Sequence, residues 1–304
     1  MKILVVGGTG MIGGHAALHL RSKGHQVTIS GRRAPAEVPA LVKLPFLQGN
    51  YLRGDITAEQ LALFEAVVFA AGSDVRHVPE GQGPNEHYLQ ANGEAVPAFA
   101  RLAREAGVRI CMHIGSAYPH IVPEVVHESP YVRSRKLAAD GVAALATPYF
   151  HACSLDPPIV VGTVPGMKIP MFEAYIQYAE GKLPIPSFAP AGGLNFISTQ
   201  SLSEAIAGAI ENSETVSGRC ILVGDENRTY AEYLEMFFHA VRNPQKLPVL
   251  DQDHPLMPRA TLYAGDRAVT YEPDAADVAA LGGYRRNDVR NAISEIVSQH
   301  RSRE

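Results

Sequence analysis

The chain has 304 residues, a formal net charge of −4 and 46% hydrophobic residues, a balance that excludes the basic surface nucleic acid requires and predicts one large α/β domain or a domain plus a lobe. Its three cysteines, Cys111, Cys153 and Cys220, stand far apart in or beside apolar runs, which predicts reduced core thiols in a cytoplasmic protein and not a disulfide or zinc framework. The apolar run at the start, Ile3 to Val6, meets glycine after four residues, too short for a signal-peptide core or a membrane span, and no later run is long enough.

Taken in chain order, Ile3 to Val6 reads as a parallel strand buried on both faces. A helix from Ile12 to Lys23 follows, closed by Gly24, and Gln26 to Ser30 reads as the next strand. Phe46 to Gln48, Ala66 to Ala71, Val108 to Ile114, Phe150 to Leu155 and Arg219 to Val223 are further strands, with helices over Asn92 to Ala106 and Tyr131 to Leu145. Seven prolines between Asp156 and Pro190 predict loops and short helices around a cleft. Amphipathic stretches at Tyr230 to Arg242, Asp274 to Leu281 and Asp288 to His300 close the chain. The alternation predicts a doubly wound parallel sheet of the Rossmann type. Residues 1–165, completed by about 195–224, form the dinucleotide-binding part; 166–194 and 225–304 form a small C-terminal substrate-binding lobe.

The loop GGTGMIGG places glycines at Gly7, Gly10 and Gly13 between the first strand and the first helix. A sharp turn, backbone open to a pyrophosphate and close helix–strand packing all demand that spacing. Gly7, Thr9, Gly10, Met11, Ile12 and Gly13 are therefore candidate cofactor contacts. About twenty residues beyond such a loop an acidic residue ordinarily holds the adenosine ribose. Here the second strand ends in Ser30-Gly31-Arg32-Arg33. Two guanidiniums suit a 2′-phosphate, so the sequence predicts NADP, with NAD as the other option.

These residues resemble the extended short-chain dehydrogenases/reductases, also described as the NAD-dependent epimerase/dehydratase family. AVVFAAG resembles that family's fourth strand and the loop beside the cofactor, at Ala70, Ala71 and Gly72. LQANGEAVPAFARLAREAGVRICMHIGSA resembles its next helix and strand, with Asn92 at a commonly retained asparagine; NFISTQSLSEAIAGAIEN and the tail AADVAALGGYRRNDVRNAISEIV fit its late segments. The resemblance implies that Ser116 positions a substrate oxygen and that Tyr131 exchanges its proton. It also implies a lysine four residues after Tyr131, where this chain has Arg135; Lys136 lies about 100° further round the helix. Arg135 would still favour the phenolate, through a bulkier planar group. Tyr118 is a second candidate proton donor. An adenine contact falls on Asn50 by position or on Asp55 by local pattern, and Pro158 and Ile159 would lie near the nicotinamide. Dimerisation is common in the family, so a homodimer is expected.

His15 and His19 stand four apart on the first helix without a third ligand, which predicts ordinary helix residues and no metal site. His77 and His87 flank a Gly/Pro-rich loop over the expected cleft. No hydrolase elbow or Walker-type loop ending occurs. The sequence reading is an NADP(H)-dependent oxidoreductase that reduces a carbonyl of a small or medium organic substrate. The alternatives are a nucleotide-sugar epimerase/dehydratase and a non-catalytic NADP-binding regulator.

Overall fold

A computed structural model describes residues 1–303. Six strands form in the first half of the chain: β1 (Lys2–Val6), β2 (Gln26–Gly31), β3 (Phe46–Gln48), β4 (Ala66–Phe69), β5 (Ile110–Ile114) and β6 (His151–Asp156). Three short strands follow, β7 (Ile159–Val161), β8 (Ala189–Pro190) and β9 (Gly193–Ser198). The last three are β10 (Cys220–Leu222), β11 (Glu226–Thr229) and β12 (Val249–Leu250).

The central sheet has seven strands in the order β10-β6-β5-β4-β1-β2-β3, and every pairing in it is parallel. The short apolar runs explain it: β4 and β5 are buried along their whole length, as strands covered on both faces must be. Chain order reverses between β1 and β4, so a crevice opens beyond their carboxyl ends. One face of the sheet packs through Val5, Val68, Met112 and Leu155 on the first helix, Met11–Ser22, and on Thr199–Glu211. The other packs through Val67, Phe69, Cys111 and Ala152 on Ala95–Glu105 and Pro130–Ala143. A third apolar cluster, around Phe172, Phe196, Tyr233 and Phe237, lies in the later part of the chain with the sheet β11-β9-β7.

The structure corrects the sequence reading in three places. β4 ends at Phe69, so Ala70 and Ala71 are loop residues at the crevice and not strand. The helix expected from Asn92 begins earlier, at Pro84, and passes through a π-helical turn, Leu89–Glu94, before Ala95–Glu105. The proline-rich stretch holds a strand, β7, and a ten-residue helix, Pro170–Ala179, because Pro170 sits in the first turn, where its missing N–H costs nothing.

Candidate active site

The glycine loop is bare for two different reasons. Gly7 has φ +79, and a Cβ there would lie 2.8 Å from the Ala70 backbone. A Cβ on Gly13 would run into the Gly7 carbonyl. These two glycines are required by the fold. Gly10 is different: its Cβ would meet nothing nearer than Gly7 O at 3.5 Å. Gly10 is also the N-cap of Met11–Ser22, with no side-chain cap and no acidic residue in the first turn. The helix thus presents free N–H groups and its positive end beside an open backbone, which fits the pyrophosphate of a dinucleotide.

At the end of β2, Arg32 and Arg33 are exposed, and among the described residues neither makes an ion pair. Gln48 donates to the Arg32 carbonyl at 3.3 Å, joining the ends of β2 and β3. Asn50 and Asp55 form one turn: the Asn50 Oδ1 accepts from Leu52 N at 3.1 Å, and Asp55 Oδ2 accepts from Asn50 N at 2.9 Å. Pro158 precedes β7, and Ile159 packs on the third apolar cluster.

The loop after β4 and the helix Pro130–Ala143 are joined through Asn92, which is fully buried. Its Oδ1 accepts from Ser73 N at 2.9 Å, and its Nδ2 donates to Ser73 O and to Ser134 Oγ. Ser134 in turn donates to the Tyr131 carbonyl at 2.7 Å. His87 Nε2 bonds Ser73 Oγ at 2.7 Å, and His77 accepts from Asp74 N. Both histidines therefore hold the loop's own shape. His15 bonds Ser203 Oγ at 2.8 Å between two helices.

Ser116 follows β5 and is half-buried; its Oγ accepts from Tyr118 N at 3.4 Å. Tyr131 begins the helix capped by Ser129. Its ring stacks on Tyr263 at 4.9 Å and meets the edge of Tyr88 at 5.3 Å, while Tyr118 meets Tyr263 at 5.1 Å. Burial pushes the Tyr131 phenol above its ordinary value; Arg135 opposes that, Asp74 adds to it and Arg76 opposes it again. Burial pushes Tyr118 further, well above 10.

Arg135 is buried, and its Nη2 donates to the carbonyls of Ile114 and Gly115 at 2.8 and 2.7 Å. Its Nε has no partner. Gly72 lies directly against the guanidinium. The side chain therefore ties the helix to the end of β5 and to the cofactor-side loop, with its charge next to Tyr131.

Sequence reasoning missed three features of the site. Tyr88 and Tyr263 sandwich Tyr131 from distant segments, and the π-helical turn places Asn92. The third is a polar chain at the ends of β5 and β6: His120 Nε2 meets Asp156 Oδ2 at 2.6 Å, Ser154 donates to Asp156 Oδ1 at 2.6 Å, and His113 Nδ1 meets Ser154 Oγ at 2.9 Å. The only sequence signal was an aspartate in an apolar strand, whose partners come from its own strand and from the turn after β5, with His113 brought beside Ser154 by the β5–β6 pairing.

The sequence pattern of the NAD dependent epimerase/dehydratase family matches residues 3–219. A UDP-glucose 4-epimerase of Neisseria meningitidis serogroup B is 23% identical over 333 aligned positions, covering 97% of this chain and 95% of that protein. Among solved structures, a UDP-glucose-4-epimerase from Stenotrophomonas maltophila with bound NAD and formylated UDP-arabinopyranose superposes with a TM-score of 0.80 at 19% identity, covering 100% of this chain and 98% of that one. An NAD-dependent NDP-hexosamine 5,6-dehydratase, TunA, gives 0.71 at 17% identity, with 100% and 98% covered.

Proposed function

Because the chain belongs to the NAD dependent epimerase/dehydratase family, we propose that it oxidises and re-reduces a hydroxyl-bearing carbon of a nucleotide-linked sugar, with no net use of the dinucleotide. The sequence reading put net carbonyl reduction first; the epimerases and dehydratase it resembles favour the recycling alternative.

One convergence carries the proposal. Gly7 lies against Ala70, and Gly72, two residues on, lies against Arg135. These contacts support one crevice shared by the uncapped helix end, Ser116 and Tyr131. Gly7, Thr9, Gly10, Met11, Ile12 and Gly13 would hold the pyrophosphate, and Ala70, Ala71 and Gly72 would line its path toward Tyr131. When bound, the nicotinamide supplies the hydride acceptor and donor. Ser116 orients the substrate oxygen, and Tyr131 takes the hydroxyl proton and returns it. The fixed charge of Arg135 favours the phenolate, but a guanidinium cannot be deprotonated and so relays no proton.

Arg32 and Arg33 support NADP over NAD, since each can fork onto a 2′-phosphate. They also favour a second reading, net carbonyl reduction by NADPH. Incubation with a panel of nucleotide sugars and either dinucleotide separates the cases. We expect a rearranged or dehydrated sugar by NMR with unchanged nicotinamide absorbance. Net oxidation of NADPH on a carbonyl panel would establish the second reading instead. Binding without any turnover would leave a dinucleotide-sensing regulator. Arg32→Asp is expected to weaken NADP at least tenfold and leave NAD within about twofold; equal effects on both would remove the 2′-phosphate assignment.

A further inference from the structure

Tyr131 serves one substrate oxygen, and Arg135 can relay no proton. The chain places one more acid–base pair at the same end of the sheet. Asp156 is 1% exposed at the last position of β6, while the His120 side chain keeps 32% of its surface open. His120 lies four residues after Ser116, on the turn Tyr118–Ile121, and Ala117 N donates to Pro157 O beside it. His113, Gly115, Ser154 and Asp156 share the sheet face that packs on Pro130–Ala143, the helix of Tyr131 and Arg135. Gly115 is bare because Asp156 and Ser154 fill the place of its side chain, and its carbonyl accepts from Arg135.

The hydrogen bonds fix the tautomer. Ser154 donates to Asp156, so its oxygen accepts from His113 Nδ1–H. Burial holds His113 well below its ordinary value, hence neutral. Every donor in the chain points to the Asp156 carboxylate, so His120 presents Nε2–H to it at 2.6 Å. A neutral imidazole with its proton on Nε2 keeps its lone pair on Nδ1. Among the described residues Nδ1 has no hydrogen-bond partner. The arrangement is that of a base oriented by a buried carboxylate.

We propose that His120, oriented by Asp156, is a second acid–base catalytic residue, acting on the carbon next to the one oxidised. This rests on the recycling reading above. Oxidation turns the substrate C–OH into a carbonyl, the proton going to Tyr131 and the hydride to the nicotinamide. The new carbonyl acidifies the adjacent C–H. His120 Nδ1 takes that proton and leaves an enolate. The imidazolium then returns it either to the same face of that carbon, exchanging its hydrogen with solvent, or to a hydroxyl on the next carbon, which departs as water while the C–O bond breaks. Nothing further is oxidised or reduced, and the hydride returns from the nicotinamide. The other titratable or charged groups around the pair are Tyr118 on its own turn, His113 on β5, Tyr131 and Arg135 on the helix, Cys220 on β10 and Tyr271 in the C-terminal segment. Arg135 alone among them carries a fixed charge.

The test runs the full-length protein with NADP or NAD and nucleotide sugars in D2O. Wild-type product is expected to carry solvent deuterium at the carbon beside the oxidised one. His120→Gln should lower kcat about 100-fold or more with KM within about threefold, and reduced nicotinamide should accumulate because oxidation outruns the slowed proton step. Asp156→Asn, which keeps the volume, should lower kcat at least tenfold with KM within about threefold, since the imidazole loses the carboxylate that orients it. Deuterium-free product, or an unchanged rate and pH profile in His120→Gln, overturns the second acid–base residue and leaves the recycling reading standing. Failure of the wild type to convert any nucleotide sugar overturns both.

Discussion

Arg135 shows how much more a single side chain does than its position implied. The resemblance suggested a charge that favours the Tyr131 phenolate; the structure also places Nη2 on two backbone carbonyls and leaves Nε without a partner. Lysine has a single ammonium in place of that fork, so Arg135→Lys should leave one buried carbonyl poorly satisfied. The expected cost is about 1–3 kcal/mol, read as a fall in Tm of about 2–4 °C per kcal/mol. An unchanged Tm would mean the two carbonyl bonds hold nothing. At this scale the family resemblance pointed to Ser116, Tyr131 and Arg135, but it could not reveal where the guanidinium points. That depends on Gly72 and Gly115, which arrive from two other strands.

At the level of single elements, the glycine loop and its helix separate fold from ligand. Gly13→Ala collides with the Gly7 backbone and should lower Tm sharply. Gly10→Ala has room within the protein, so it should melt close to wild type yet bind dinucleotide at least tenfold more weakly by fluorescence titration. Equal losses in both would place Gly10 in the packing as well. The same helix sets a pH dependence. Burial pulls His15 down to about 4 from 6.5, with His19 adding to the shift, and burial lowers His19 too. The unfolded chain therefore binds protons that the folded one refuses. Stability from these groups is complete above about 6.5 and declines as pH falls toward about 4. The urea midpoint should drop between pH 7 and pH 5, and His15→Gln should flatten that drop; a parallel drop would assign it elsewhere. Strand positions were readable because the apolar runs are short and most are closed by glycine or proline. The π-helical turn was not, since nothing in the sequence of Leu89–Glu94 shows that Asn92 within it will bond Ser73 and Ser134.

Across the whole molecule, the late segments are held by Asp225, which is 4% exposed. Its carboxylate accepts from Arg286 Nε, Asn287 N and Asp288 N, and its own N–H donates to Asn195 Oδ1. Asp225→Asn replaces an acceptor of three donors with a group that has one oxygen, so a loss of about 2–4 kcal/mol is expected in urea unfolding. A loss under 1 kcal/mol would show that the apolar cluster alone holds the lobe. The parallel sheet was legible because strands that alternate with helices must run parallel. The lobe was not, because Asp225, Asn195 and Arg286 meet only after three separate segments have folded.

Tyr263 gives the molecule a timetable. The glycine loop, Ser116, Tyr131 and Arg135 all lie in the first half of the chain, yet the ring stacked on Tyr131 comes from close to its far end. During synthesis from the N-terminus, the glycine loop and its helix emerge early. The Tyr131 ring keeps one face uncovered until the segment that bears Tyr263 has followed. A chain broken off before Tyr263 would lack that stacked ring, so the shelter over Tyr131 is completed only by a late part of the molecule.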